Sequence, residues 1–247
     1  MKRSRATWIA ACCGPMILGA RLALADVVVL SASRDNTIIE SSTGNLSNGA
    51  GMYFTAGRTG QAGGSVRRGL VAFDVTGIPS NSQITNVVLT LHLSRSSTTD
   101  PHDIRLHRVL AAWGEGTSDA GSGESAGAPA TPGDATWIHS IYDSQPWTNP
   151  GGDFIAAPSA TASASGIGFV TWGSTVAMVA DVQGWVDTPG TAHGWVLVGN
   201  ESEPRTSKRF DSHENDMVSL RPSLAVTFDR PTAVEAGGWS RVKSLYK

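Results

Sequence analysis

The chain has 247 residues, a formal net charge of −2 and two cysteines, with 16% of its residues charged. A balance this close to neutral argues against general affinity for nucleic acid or anionic membranes, which need a basic excess. Cys12 and Cys13 are adjacent near the start. No cysteine remains further along to staple a fold, so stability must come from a hydrophobic core.

Residues 1–25 read as a secretory signal. Lys2, Arg3 and Arg5 form a basic start, Trp8 to Leu24 is mostly apolar, and Ala23-Leu24-Ala25 supplies the small residues of a cleavage site before Asp26. A membrane span needs ~20 uninterrupted apolar residues, and Pro15 and Arg21 interrupt this stretch. Ile9-Ala10-Ala11-Cys12 also resembles a lipoprotein cleavage box. It leaves an apolar core shorter than the ~7 to 15 residues such signals use, so ordinary secretion is preferred. Cleavage removes Lys2, Arg3, Arg5 and Arg21 and no acid, leaving 15 basic against 21 acidic residues. The 222 residues that follow can bury roughly 70% of their unfolded surface.

Short runs of alternating apolar and polar residues, bounded by Gly, Pro, Asn and Ser, then recur along the chain. They predict strands at Met52 to Ala56, Leu70 to Val75, Ile84 to Leu93, Ile104 to His107 and Leu224 to Phe228. Trp195 to Val198 is continuously apolar, as a central strand would be. In Ile84 to Leu93, Val87, Leu89, Leu91 and Leu93 share one face and Val88, Thr90 and His92 the other. Val179, Val182 and Val186 predict one short helix near 180–187, ending at Thr188-Pro189-Gly190. Gly114 to Asp134 lacks apolar periodicity and reads as a long loop. Residues 26–229 are thus expected to form one all-β, jelly-roll-like antiparallel sandwich with one short helix. Residues 230–247 form a linker and an aromatic, basic tail with Trp239, Val242, Leu245 and Tyr246, suited to a sorting or docking partner.

The order of motifs resembles the DNRLRE-domain family of exported β-sandwich proteins. Asp35-Asn36-Thr37-Ile38-Ile39-Glu40 is similar to the name motif, with Ile where Leu and Arg often stand. Arg67 to Asp74 with Ile78-Pro79 resembles the basic strand and its proline turn. Trp113-Gly114-Glu115 and Thr136-Trp137 resemble the Trp-x-Glu and Thr-Trp pair, and Asp181 to Trp185, Gly194 to Leu197, Lys208 to Glu214 and Arg221 to Leu224 complete the series. The resemblance implies a sandwich of the kind found beside polysaccharide-degrading enzymes and in surface proteins. It implies binding or structural roles, and transfers no catalytic residues.

Seven of the eight tryptophans follow the signal. Sugars present C–H faces that stack on aromatic rings, so Trp113, Trp137 and Trp147, flanking the long loop, are candidate carbohydrate platforms. The alternative is that they plug the sandwich beneath that loop, whereas Trp185 and Trp195 are assigned to the core. His92, Arg105 and His107 would form one basic face toward acidic sugars if their strands are neighbours. Asp35, Asn36 and Glu40, or Asp211, Glu214 and Asp216, could supply oxygen ligands to a structural Ca²⁺; neither set matches an EF-hand loop, and turn caps or ion pairs would use the same residues. The H-E-x-x-H and P-loop signatures do not occur, and Gly121-x-Gly123-x-x-Ala126 and Ser240-x-x-Lys243 match motifs by spelling alone. The expected function is non-catalytic adhesion, outside the cell or on its surface, to a polysaccharide or extracellular matrix, with no nucleic-acid partner and no transmembrane span. The alternatives are a self-associating surface component and a polysaccharide lyase or hydrolase.

Overall fold

The computed structural model describes residues 25–231. The signal-like segment, the lipoprotein-box reading and the Trp239–Lys247 tail lie outside the described residues. The strands are β1 (Asp26–Ile39), β2 (Leu46–Ser47), β3 (Tyr53–Arg58), β4 (Val66–Phe73), β5 (Gln83–Ser96), β6 (His102–Arg108) and β7 (Ala128–Pro129). They continue with β8 (His139–Ile141), β9 (Gln145–Pro146), β10 (Ala160–Ala164), β11 (Gly168–Trp172), β12 (Trp195–Val198), β13 (Lys208–Asp211) and β14 (Ser223–Asp229). The single α-helix, α1, is Val176–Asp187. The expected strands are all present, several extended by one to four residues at an end. The fold is an antiparallel β-sandwich whose sheets join at their margins.

The first sheet runs from the start of β1 through β14 and β5 to β11, with β13 and the start of β3 continuing beside β5. The second runs from the end of β1 through β4, β12 and β6 to β10. β1 serves both. Residues from Asp26 to Ser31 pair with β14, and those from Ala32 to Ile39 pair with β4, with a register break at Ser33. β3 makes the same change at Gly57, where β13 gives way to β4 as partner. Strands that switch sheets need a bulge or bend at the corner, and both strands have one.

Alternation along β5 and β6 turns Leu89, Leu91 and Leu93 toward Ile104 and Leu106, and Phe54, Trp172, Trp195 and Phe210 fill the space between the sheets. Each aliphatic side chain buried there contributes roughly 1.5–3 kcal/mol. Helix α1 lies against β5 and buries Met178, Val182, Trp185 and Val186. It begins four residues before the expected position because Thr175 caps it, Oγ1 accepting from the Met178 amide at 3.0 Å. Met178 and Trp185 carry its buried face, and Val179 is only half-buried. Trp185 and Trp195 are fully buried, with ring centroids 4.6 Å apart. No helix among the described residues is long and apolar enough to cross a membrane.

A second apolar cluster covers the outer face of the second sheet. Ile38, Leu70, Val196 and Val198 meet Val109, Trp113, Ala135 and Trp147 there. The segment 109–154 therefore forms a third layer, and β4 and β12 are buried on both faces. That includes the expected long loop, which carries a 3₁₀ turn and β7, and whose Ser118, Glu124 and Asp134 are buried.

Gly57 has φ +103°, and a Cβ there would meet the Thr206 carbonyl at 3.0 Å. Gly57→Ala is expected to lower unfolding stability by about 2 kcal/mol or more through backbone strain at this corner. Chemical denaturation measures it, and an unchanged midpoint would refute this account of the corner.

Candidate functional site

The third layer decides the fate of the tryptophans. Trp113 is 2% exposed and Trp147 5%. Their indole N–H groups donate to the carbonyls of His193 at 2.7 Å and Thr136 at 2.9 Å. The Arg34 guanidinium lies 4.6 Å from the Trp113 ring centroid, and Arg68 lies 4.9 Å from that of the half-buried Trp137. Trp113 and Trp147 are thus plugs beneath the long segment, and a buried ring offers no face to a sugar. This corrects their assignment as platforms; Trp137 keeps a partly accessible ring under Arg68.

The proposed basic face is divided as well. His92 lies on β5, Arg105 and His107 on β6, and these strands belong to opposite sheets. Their outward side chains therefore point to opposite sides of the sandwich. His92 pairs through Nδ1 with Asp211 Oδ2 and packs edge-on against Phe169, with centroids 5.0 Å apart. His107 is buried under Phe154, its Nδ1 is 3.0 Å from the Ile155 carbonyl, and burial holds its pKa below the usual histidine value. Arg105 alone is exposed.

Neither acidic triple assembles as a cation site. Asn36 is spent on the loops: its Nδ2 donates to the carbonyls of Glu115 at 3.1 Å and Ala135 at 3.4 Å, and its Oδ1 accepts from Ser47 and Asn48. Glu40 Oε2 accepts the amides of Ser65 and Val66. Asp211 is shared by His92 and Asn215, and Asp216 is exposed. One member of each triple, however, meets the other. Asp35 and Glu214 converge with Glu115 and His213, the four ligand atoms lying within 4.8 Å of one another. Glu115 and His213 were missed as site residues because they are 80 and 178 positions from Asp35. Their only signal was their place in the Trp-x-Glu and Lys208-to-Glu214 motifs.

The cluster is built on β1 just past its corner. Asp35 is fully buried there, and its Oδ2 accepts the His213 amide at 2.8 Å. His213 Nδ1 lies 3.3 Å from Asp35 Oδ2 and 3.4 Å from Glu115 Oε1, and its Nε2 lies 2.9 Å from Glu214 Oε1. Glu115 Oε1 also accepts the Asp35 amide at 2.7 Å. Burial pushes Asp35 up to about 6 despite its bonds to His213. Burial likewise pushes Glu115 up to about 7, partly offset by the Asp35 amide and His213. Burial alone would lower the His213 pKa, but hydrogen bonds to Asp35 and Glu214 outweigh it and push it up to about 10.

Chemically, the imidazolium is the cation that three carboxylates share. The same atoms could hold a divalent ion: Asp35, Glu115 and Nδ1 on one side of the ring, with Glu214 fixing it through Nε2. A ligating His213 would first have to give up its proton. One imidazole with carboxylates suits a transition cation better than Ca²⁺, which takes 6–8 oxygens.

Two other features lie apart from this cluster. Gly123-Glu124-Ser125-Ala126-Gly127, within a small-residue stretch, spells the G-x-S-x-G pentapeptide. A nucleophile elbow joins a strand to a helix. Ser125 instead follows a 3₁₀ turn and precedes β7, and its hydroxyl meets Thr55 Oγ1 at 3.2 Å. An open groove of about 580 Å³ lies at one end of the second sheet, lined by Pro101, His102, Asp103, Arg105, Asn200 and Glu201 among others. It shares no residue with the His213 cluster. The chain matches no family model and no curated protein sequence.

The native state holds protons on Asp35 and Glu115 up to about 6 and about 7, against ordinary values of 3.8 and 4.5. It holds one on His213 up to about 10 against 6.5. The folded protein thus binds more protons than the unfolded one across this range, and its stability falls as pH rises. The His213 contribution is complete below pH 6.5 and lost through about pH 10. A melting series of metal-stripped protein is expected to decline steadily from pH 5 to 10. His213→Gln should flatten the part above pH 7, and parallel curves for the two proteins would refute the pairing.

Proposed function

We propose that the chain is an exported, non-catalytic binding module for a polysaccharide or an extracellular matrix. The observation that carries this reading is the groove beside Arg105. Its volume of about 580 Å³ lies within the range of small-molecule sites. Its lining alternates donors and acceptors: the Arg105 guanidinium, the His102 imidazole, the Asn200 amide, the Ser202 hydroxyl, and the Asp103 and Glu201 carboxylates. Sugar hydroxyls are donors and acceptors at once, and such a lining can satisfy them in both senses. Its polar character suits a solvated chain better than a buried apolar ligand. The signal-like start and the resemblance to the DNRLRE-domain family support export and a binding role.

The groove has a rigid floor. Arg105 pairs with Val198 on one side and Thr161 on the other, so its backbone is fixed within the second sheet. The Arg68 guanidinium holds the Glu201 carboxylate through two bonds, of 2.7 and 3.0 Å, steadying the facing wall. Preorganised walls lower the entropic cost of binding.

A glycan array probed with the full chain, with and without Ca²⁺ and with product analysis on every hit, tests the proposal. Retention without products is expected. Arg105→Ala should weaken retention at least fivefold at unchanged melting temperature, because the side chain is exposed. Equal retention by the variant would exclude the groove, and products would favour the lyase or hydrolase alternative.

One observation favours the self-associating alternative. Among the described residues, those from Asp26 to Ser31 pair with β14 on one side only, and Val27 and Val29 are each 65% exposed. An open strand edge with no charge from Val27 to Ser31 is a template for pairing. If this edge assembles the protein, Val29→Lys should abolish concentration-dependent sedimentation. A wild-type protein that sediments as a monomer at all concentrations would remove this reading.

A further inference from the structure

A pocket of about 190 Å³ sits where β3, β5 and β13 meet, lined by Thr55, Ser97, Ser125, Ser207, Arg95 and Arg209 among others. Four of these are hydroxyls and two are guanidinium groups, and no carboxylate is among them. Neither Arg95 nor Arg209 has an ion-pair partner among the described residues. Arg209 is held in place: its guanidinium lies 3.7 Å from the Tyr53 ring centroid, and Nε donates to Ser94 Oγ at 3.2 Å. The remaining N–H groups of the fork have no protein acceptor among the described residues, and they are the part that would reach a ligand.

The wall behind the pocket adds positive charge. Arg67 is 1% exposed, and its guanidinium donates to the carbonyls of Ser125, Gly64 and Val66 and to Gln61 Oε1. Lys208, beside Ser207, is 0% exposed, and its ammonium donates to Ser96 Oγ and to the carbonyls of Thr98, Asp100 and Ser165. Both are buried cations satisfied by neutral oxygens alone. Burial lowers the pKa of each, with Glu40 and Asp100 respectively opposing the shift only in part. Glu124 feels Arg209, but it is buried, engaged by Asn48 Nδ2 at 2.7 Å, and pushed toward its neutral form by burial. None of these four cations is ion-paired among the described residues, and Glu40, Asp100 and Glu124 act on Arg67, Lys208 and Arg209 only from a distance. A buried cation left uncompensated is costly, and a bound anion would relieve that cost.

We propose that this pocket is an oxyanion site, taking one sulfate or carboxylate group, such as an acidic saccharide carries, between Arg95 and Arg209. The guanidinium groups supply paired, charge-assisted donors, and the surrounding hydroxyls complete the shell. The pocket shares no lining residue with the groove beside Arg105, so the proposal stands whether or not that groove binds a glycan.

Calorimetric titration of the full chain tests it, using sodium sulfate and sodium glucuronate against sodium chloride at equal ionic strength, with glucose as the neutral control. Saturable binding of at least one oxyanion is expected, with chloride and glucose silent. A tenfold preference for sulfate or for glucuronate would assign the source of the anionic group. Arg95→Gln, at an exposed position, and Arg209→Gln should each weaken binding roughly tenfold, the scale of one lost charge-assisted pair. Arg105→Ala should leave the titration unchanged. No saturable response beyond chloride, or wild-type affinity in both the Arg95 and Arg209 variants, would overturn the proposal.

Discussion

The structure depends on one strand belonging to two sheets. β1 pairs along Asp26 to Ser31 with β14 and, after the irregularity at Ser33, along Ala32 to Ile39 with β4. A strand that turns such a corner carries its next residues from the margin into the interior. Asp35 and Asn36 are the first fully buried polar side chains beyond it. Buried polar groups must find partners, each unmade bond costing about 1–3 kcal/mol. The partners come from distant loops: Glu115 and His213 to Asp35, and Ser47, Asn48 and the carbonyls of Glu115 and Ala135 to Asn36. The corner therefore fixes where the 45–50, 113–118 and 212–215 segments sit. The third layer hangs from the same place.

That dependence explains what could be read from the residues and what could not. Alternation with period two places β5, β6 and β14 because each has one face in the core and one outward, a pattern local to a few residues. Strands buried on both faces, such as β12, still announce themselves as apolar runs. The third layer does not, because Val109, Trp113, Ala135 and Trp147 are spread over loops with no period, and only the tertiary fold shows what they cover. Placing Trp113 and Trp147 on the surface followed from treating a Gly- and Ser-rich segment as solvent-facing. The His213 cluster was half legible: Asp35 and Glu214 stood out as acids in the sequence. Their meeting depended on contacts across 178 residues, which no local pattern encodes. The division of His92 from Arg105 and His107 has the same origin, since strands consecutive in sequence were assigned to opposite sheets by pairing partners far along the chain.

Charge is distributed by the same logic. At the β1 corner three carboxylates surround one imidazolium, so acids exceed the local cation, and burial drives Asp35 and Glu115 to hold protons longer. At the β3 corner the excess has the opposite sign, with Arg67 and Lys208 buried among neutral oxygens and Arg95 and Arg209 at the surface. Each corner is where a strand changes sheets and the ladder of backbone bonds is interrupted. Unpaired carbonyls and amides at such a break need polar side chains to satisfy them. Arg67 does this with the carbonyls of Gly64 and Ser125, and Asp35 with the His213 amide.

The two corners differ in how completely the charge is answered. His213 closes the first from within, because its two nitrogens reach carboxylates on both sides of the ring. Nothing among the described residues does the same for the second: the cations there meet carbonyls and hydroxyls, which satisfy hydrogen bonds without neutralising charge. Glu124, the acid that feels Arg209, is engaged by Asn48 and pushed toward its neutral form by burial, which leaves the potential directed into an open pocket. A low-dielectric wall behind Arg95 and Arg209 focuses that potential outward rather than letting solvent screen it. The constraint that folds the sandwich thus also generates the unbalanced charge, which confines anion recognition to the corner where no internal partner reaches.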